Sequence, residues 1–450
     1  MTRELRQSRA VVAREHSVYT AASKIPYFPL VIARGRGAVI EDVDGNTYLD
    51  FLSSAASLNT GHAHPKIVAA VQAQAERFLN YTFVYACHQP AVELAERLVE
   101  ITPVPQPKKV SFGLSGSDAN DGAMKLIRRA TGRSRILAFL RSYHGSTYGA
   151  ATLSAVSLNM TRGLGPMVPE VYHVPFADCY RCPYGQTYGR CRFECVSFIE
   201  SLLSSRLPPD EVAGMILEPI QGDAGIIVPP PEFMAGLRRI CDTHGILFVA
   251  EEVQTGFGRT GKWFAAEHWK IQPDVMILGK ALGAGMPISG IVARQDLMDA
   301  WELPAHLFTN GGNAVCCAAA LANVEVIKEE KLVERSEELG DQIMARFREM
   351  QQKYEMIGDV RGKGLMIGVD LVKDRQTKER ARDEAAKICV CCYEKGLILS
   401  FFSNSVLRIA PPLVVSDSQV EQALIIIEES IREVQEGNVP DEVIKETQGW

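Results

Sequence analysis

Apolar residues recur along this chain in two ways. Short apolar runs at Lys109–Phe112, Arg135–Phe139, Gly214–Leu217, Ile246–Ala250, Val275–Leu278 and Ile288–Ala293 predict buried strands. Between them lie stretches with helical spacing, among them Asp118–Arg129, stopped by Gly132, and Pro231–Thr243. Strand, turn and helix in alternation predict a mostly parallel sheet covered on both faces, with ligands gathered at the carboxyl ends of the strands. Nearer the N-terminus, Val39–Phe51 predicts a hairpin about Asp44-Gly45-Asn46. After Gly61-His62-Ala63-His64-Pro65, the positions Ile67, Val71, Ala75 and Phe78 share one face of a helix, and the two histidines read as turn and packing residues. Beyond residue 330 the pattern changes to a charged helix (Glu329–Lys353), a strand (Leu365–Leu371), a helix (Glu379–Lys395), two strands (Leu397–Ser400, Leu407–Ile409) and a helix (Ser418–Glu436). This is a smaller α+β unit. The division that follows is an N-terminal segment 1–62 packing with a small domain 331–450, and a large domain 63–330 between them.

Composition narrows the class. With 450 residues, 46% hydrophobic and 23% charged, the chain has material for two or three globular domains. A net charge of -6 offers no basic footprint for nucleic acid. No apolar run approaches the roughly 20 residues of a membrane helix, and Met1–His16 holds no apolar signal core. Eleven cysteines, an odd number with several in apolar contexts, point to a reducing cytoplasm.

Four stretches carry candidate chemistry, each at the end of an expected strand. Lys280 follows Val275–Leu278 and Gly279, and Gly283, Gly285 and Pro287 then forbid a simple helix. A lysine there suits an amine that must become neutral and attack a carbonyl. Ser115–Asn120, between strand and helix, offers free N–H groups to an anion such as a phosphate. Tyr143 could lie flat on an aromatic ring. Glu251 and Glu252 end a strongly apolar strand, where a carboxylate needs a partner. One acid suits a protonated ring nitrogen, and the other an arginine such as Arg259. Pyridoxal phosphate asks for this combination: lysine for the aldehyde, acid for the pyridine nitrogen, anion site for the phosphate.

The chain resembles the class III pyridoxal-phosphate enzymes of fold type I from about Tyr27 to Glu436. The resemblance rests on Gly61–Pro65, Glu252–Gly261, Gly279-Lys280 and Thr309–Asn313. It implies an α/β architecture: a large domain with a mostly parallel seven-stranded sheet, plus a smaller α+β domain built from both termini. It assigns Lys280 to the covalent link with the cofactor, the backbone of Gly116 and Ser117 to the phosphate, and Tyr143 and Val253 to the two faces of the ring. Gln254 takes the ring hydroxyl and Glu251 the ring nitrogen. Thr309 reaches the phosphate of the neighbouring subunit, so the resemblance implies a homodimer or dimer of dimers with shared active sites. Arg408 matches the arginine that grips a substrate carboxylate. The family usually has aspartate where Glu251 stands, and the longer stem asks the backbone to retreat or the ring to shift.

In Glu218–Asp223 most aminotransferases of the class end on glutamate; here the residue is Asp223. With Ser115–Asp121, Ser146–Gly149, Leu158–Arg162 and Gly449-Trp450, this resembles the racemase branch, whose forms include isoleucine 2-epimerase and α-amino-ε-caprolactam racemase. The resemblance implies an amino-acid racemase or epimerase that inverts the α-carbon of a free, medium apolar amino acid by a two-base mechanism, with Lys280 and Asp223 as the bases. The alternative is a class III aminotransferase of the 4-aminobutyrate or ω-amino-acid type, which shares every cofactor residue. Cys179, Cys182, Cys191 and Cys195 have a spacing that suits zinc. The resemblance carries no metal there, and reduced thiols or disulfides are the expectation.

Overall fold

The computed structural model describes residues 4–445 and 447. Gly449 and Trp450, used above for the racemase resemblance, lie outside the described residues. The chain divides into two compact units, one of Pro65–Glu334 and one of Met1–His64 with Arg335–Trp450.

Among the described residues the larger unit has a sheet of seven strands. Their order is Lys108–Gly113, Ser289–Arg294, Val275–Leu278, Leu247–Glu251, Val212–Leu217, Arg135–Phe139 and Val171–Val174. Ser289–Arg294 runs antiparallel to both neighbours. The pairings from Val275–Leu278 to Val171–Val174 are all parallel. The two faces follow the period of two. Ile136 and Ala138 pack on one side with Ala119, Ala123 and Ile127 of the helix Gly116–Thr131. Phe139 meets Phe176 and Phe233 edge-on, and Phe233 belongs to the helix Pro231–His244. Strands buried on both faces need unbroken apolar runs, which is why Val275–Leu278 and Arg135–Phe139 stand where the sequence predicts them.

The smaller unit holds a sheet in which Ile32–Arg36, Val39–Asp42 and Thr47–Asp50 are joined by Leu397–Ile398, so both ends of the chain share it. Gly45, at φ 86°, makes the hairpin turn. His62 Nε2 lies 2.8 Å from Asp50 Oδ2, which ties the start of the Gly61–Pro65 turn to the strand Thr47–Asp50. Phe28, Tyr393 and Tyr48 stack in sequence, with ring centroids 4.7 and 5.1 Å apart. A second sheet contains Ile357–Lys363, Met366–Asp374, Val406–Ile409 and Ser400–Phe402. Among the described residues no helix is long and apolar enough to cross a membrane.

Several elements differ from expectation. The expected strand Leu397–Ser400 is two, Leu397–Ile398 and Ser400–Phe402, in different sheets. Two helices meet where the charged helix was expected to begin: Ala314–Glu329 ends there, and the charged helix is Leu332–Lys353, with Lys331 at φ 51° between them. The first of these is apolar nearly all round and shows no amphipathic stripe. Glu379-Arg380 is a short edge strand against Met366–Asp374, and the helix begins only at Arg382. Val171–Val174 was hidden by its polar neighbours and pairs at the sheet edge.

The helix Leu332–Lys353 lies against the turn that joins Ile357–Lys363 to Met366–Asp374, and the Leu365 N–H donates to Ser336 Oγ at 3.1 Å. Gly340 faces that turn so closely that a Cβ would overlap the Gly364 carbonyl. Helix propensity alone favours alanine over glycine by about 1 kcal/mol, but a methyl group forced against backbone costs roughly 1–3 kcal/mol. Gly340→Ala should therefore lower the melting temperature. A melting temperature at or above that of the wild type would contradict this packing.

Candidate active site

The carboxyl ends of Lys108–Gly113, Val275–Leu278, Leu247–Glu251, Val212–Leu217 and Arg135–Phe139 lie along one edge of the sheet, because these strands share a direction. Val275–Leu278 is wholly buried. The chain leaves the sheet at Gly279, and Lys280 opens a single 3₁₀ turn to Gly283. Lys280 stands at φ 40°, a left-handed conformation unfavourable for a residue with a Cβ. Such strain persists where the surroundings over-determine it, and it gathers at functional positions.

The helix Gly116–Thr131 starts close by. Ser115 Oγ accepts from the Asp118 N–H, and Asp118 Oδ2 accepts from the Ser115 and Leu114 N–H groups at 2.9 Å each. This cap leaves the N–H groups of Gly116 and Ser117 with no protein acceptor among the described residues, at the positive end of a helix of 16 residues. Val253 seals the same spot. A Cβ on Gly116 would come within 2.9 Å of Val253 Cγ1, and one on Gly279 within 3.2 Å. The loop Ser142–Gly145 is tied to this helix start. Asn120 Nδ2 donates to the carbonyls of Gly116 (2.9 Å) and His144 (3.0 Å), and the Ser146 N–H donates to Ser117 Oγ (3.2 Å). Tyr143, half-buried, sits on that loop.

Glu251 is buried, 4% exposed. Its Oε1 accepts from the Val253 N–H at 2.8 Å, and its Oε2 lies 3.1 Å from His144 Nδ1. A carboxylate has about four lone-pair sites, so capacity remains for a further donor. Gln254 lies against Gly222, where any Cβ would overlap its amide. Asp223 follows at once and is half-buried.

Backbone N–H groups hold Glu252. Its carboxylate accepts from the N–H groups of Ala265 (2.9 Å) and Ala266 (2.8 Å) and from the Thr255 hydroxyl. These are free N–H groups at the start of the 3₁₀ turn Ala265–Trp269. Burial pushes its carboxyl up to about 7.

Two residues of this region had no role in the sequence reading. Glu218, next after Val212–Leu217, is buried. Its Oε1 accepts from the Gly222 N–H (3.0 Å) and its Oε2 from the Tyr143 N–H (3.2 Å). His144 is the partner of Glu251, and its Nε2 is buried with no hydrogen-bond partner. The rule that singled out Glu251, a carboxylate ending an apolar run, also finds Glu218. Nothing local in the sequence marks His144.

Lys280, Gly116, Ser117, Tyr143, Glu251, Val253, Gln254 and Asp223 all belong to the larger unit. So does Thr309, which is exposed in the loop before Ala314–Glu329, with its carbonyl 3.4 Å from Asn80 Nδ2. Arg408 belongs to the smaller unit, buried on Val406–Ile409 with its guanidinium 4.5 Å from the centre of the Phe402 ring. Cys179, Cys182, Cys191 and Cys195 are free thiols lining a cavity of about 30 Å³ with Tyr184, Phe193 and Pro230. Burial pushes the Cys179 thiol up to about 12 and the Cys195 thiol up to about 11. Among the described residues no group of three or more His, Cys, Asp or Glu side chains is arranged to hold a metal ion.

The chain is similar to known proteins over nearly its whole length. The chain is 46% identical over 440 residues to the leucine/methionine racemase of Thermococcus litoralis, covering 98% of this chain and 99% of that one. It is 45% identical over 437 residues to the isoleucine 2-epimerase of Lentilactobacillus buchneri, covering 97% of each. Its fold is similar to that of an amine transaminase from an uncultivated Pseudomonas species solved in the pyridoxal-phosphate-bound form. The TM-score is 0.83 at 30% identity, covering 90% of this chain and 95% of that one. Residues 19–431 match the model of the aminotransferase class-III family, and the chain belongs to that family.

Proposed function

We propose that this protein is a pyridoxal-phosphate-dependent amino-acid racemase or epimerase that inverts the α-carbon of a free, medium apolar amino acid. The residues fit the cofactor. The helix start leaves two N–H groups for a phosphate, glycines at 116 and 279 keep the space beside Val253 clear of side chains, and the Glu251 carboxylate retains acceptor capacity. In this reading Gly116 and Ser117 hold the phosphate, with Thr309 of a second subunit completing the hold. Tyr143 and Val253 cover the ring faces, Gln254 takes the ring hydroxyl, and Glu251 keeps the ring nitrogen protonated. Arg408 grips the substrate carboxylate through its planar fork. Pyridoxal phosphate, when bound, supplies the electron sink that makes the α-hydrogen of an attached amino acid acidic.

The chain's own residues then divide the work by face. The Lys280 amine, released by the arriving substrate, takes or returns the α-proton on one side. The Asp223 carboxyl does so on the other. Asp223 carries the choice between racemase and aminotransferase. It occupies a turn fixed from within by the bond from the Gly222 N–H to Glu218, and it is a carboxylate with a short stem. The racemase and epimerase named above support the choice, and leucine, methionine and isoleucine in their names support an apolar substrate. The reading includes a homodimer at least, a cytoplasmic setting and no metal.

The test of this function is incubation with one enantiomer of leucine, methionine or isoleucine and no keto acid. Accumulation of the product inverted at Cα, without keto acid, is the expected result. Strict dependence on an amino acceptor would establish the aminotransferase reading instead. Lys280→Ala should bind the cofactor without a covalent link, so that borohydride no longer fixes it to the chain, and should lose racemisation. Cofactor still fixed by borohydride in that variant would remove Lys280 from its role. Asp223→Asn keeps the shape and cannot exchange a proton well. It should retain cofactor absorbance and lose racemisation by roughly 10²–10⁴. Racemisation within a few-fold of wild type would end the two-base mechanism.

A further inference from the structure

The reaction uses Glu251 and Asp223 but leaves Glu218 without a task. Glu218 leaves the sheet at the end of Val212–Leu217, between the neighbouring strand ends of Leu247–Glu251 and Arg135–Phe139. Each strand, and the turn after Glu218 itself, brings a titratable or charged group toward it. Leu247–Glu251 ends in Glu251, with His144 against it. The Arg135–Phe139 side brings Arg141, whose guanidinium is already engaged by Asp178 at 2.7 Å and by the Ala224 carbonyl at 2.7 Å. Glu218's own turn brings Asp223. No lysine or arginine pairs with Glu218 among the described residues; its carboxyl meets only the N–H groups of Gly222 and Tyr143. Glu218 and Glu251 are both buried, and they follow the paired residues Leu217 and Ala250 on neighbouring parallel strands. A buried carboxyl that faces another carboxyl and has no cation against it favours its protonated form.

We propose that Glu218 is a positioning residue that regulates the charge of this cluster, holding a proton in the cofactor-free protein and releasing it when a cationic ring nitrogen sits against Glu251. The proton balance is simple: the Glu218 O–H bond breaks, its electron pair stays on the carboxylate, and the proton passes to solvent or to the ring nitrogen. The bonds from Tyr143 and Gly222 favour the ionised form, and so keep Glu218 ready to release the proton. Burial, then the Glu251 charge, outweigh them in the cofactor-free protein and hold the Glu218 carboxyl well above the usual carboxylate range. Because the same two bonds anchor Tyr143 and the turn of Asp223, the charge at Glu218 also fixes the loops that carry the ring face and the second base.

This inference rests on the pyridoxal-phosphate reading, and the test separates the two. Proton uptake on adding pyridoxal phosphate to the cofactor-free protein is measured by titration calorimetry in two buffers of different ionisation enthalpy, for wild type and Glu218→Gln. Wild type should release up to one proton more than the variant. Its affinity should accordingly rise relative to the variant by up to about tenfold per pH unit. Binding with equal proton counts would overturn the role of Glu218 while leaving the cofactor reading intact; absence of binding heat and cofactor absorbance would overturn the cofactor reading itself. Stability gives a second readout. A carboxyl raised on folding contributes stability that is full below its unfolded value and is lost as pH rises through its folded value. The cofactor-free wild type should therefore lose melting temperature relative to Glu218→Gln as pH rises above the ordinary glutamate range, and the difference should shrink with cofactor bound. A difference independent of pH would contradict the proposal. If the variant does not fold, infrared spectra of the wild type decide. The difference spectrum, with minus without cofactor, should show the carbonyl band of one protonated carboxyl lost on binding, beyond any band that Glu252 contributes to both spectra, and no such loss would contradict the proposal.

Discussion

Gly116, Gly279 and Val253 meet at one point, and the site depends on that contact. Gly116 opens the helix whose first N–H groups have no protein acceptor among the described residues. Gly279 precedes Lys280. Val253 stands two residues past Glu251. A single added carbon on either glycine would press on Val253 Cγ1, so anion site, lysine and carboxylate are held at spacings set by steric contact between backbones. The φ of 40° at Lys280 belongs to the same constraint. A chain that turns out of a buried strand within one residue of such a contact has few ways to go, and the lysine takes the strain.

Around this point the fold manages carboxylates in a dry interior. Each is satisfied differently. Glu252 takes two backbone N–H groups and a hydroxyl. Glu251 uses its longer stem to accept from the Val253 N–H while meeting His144. Glu218 accepts from two loops at once, one carrying Tyr143 and the other Gly222 and Asp223. Backbone donors fix geometry without bringing a positive charge.

How much of this was legible in the sequence follows from which physical signal each part emits. Val275–Leu278 and Arg135–Phe139 were found with their observed ends, because a strand buried on both faces must be an unbroken apolar run. Lys280, Glu251 and the Ser115–Asn120 turn were legible because polar residues at the ends of such runs are conspicuous. The helix Ala314–Glu329 was not, since burial on all sides erases the periodicity that marks a helix. The break at Lys331 was invisible because lysine has no preference for the φ of 51° it adopts. The donors to Glu252 were hidden for a related reason. Sequence shows that a buried acid needs donors, but not that the backbone of Ala265 and Ala266 supplies them. His144 and Glu218 acquire meaning only through contacts across the sheet, at separations of 107 and 75 residues.

The central claim is inversion by two groups on opposite faces, and isotope incorporation from deuterated water tests it most directly. One enantiomer of leucine is incubated in deuterium oxide and both enantiomers are analysed at low conversion. Two bases predict that the product carries deuterium at Cα, because its hydrogen comes from a different group than the one that removed the original, while the remaining substrate keeps its protium. Product that retains the original hydrogen at early times would show a single group acting on both faces, and would contradict the account.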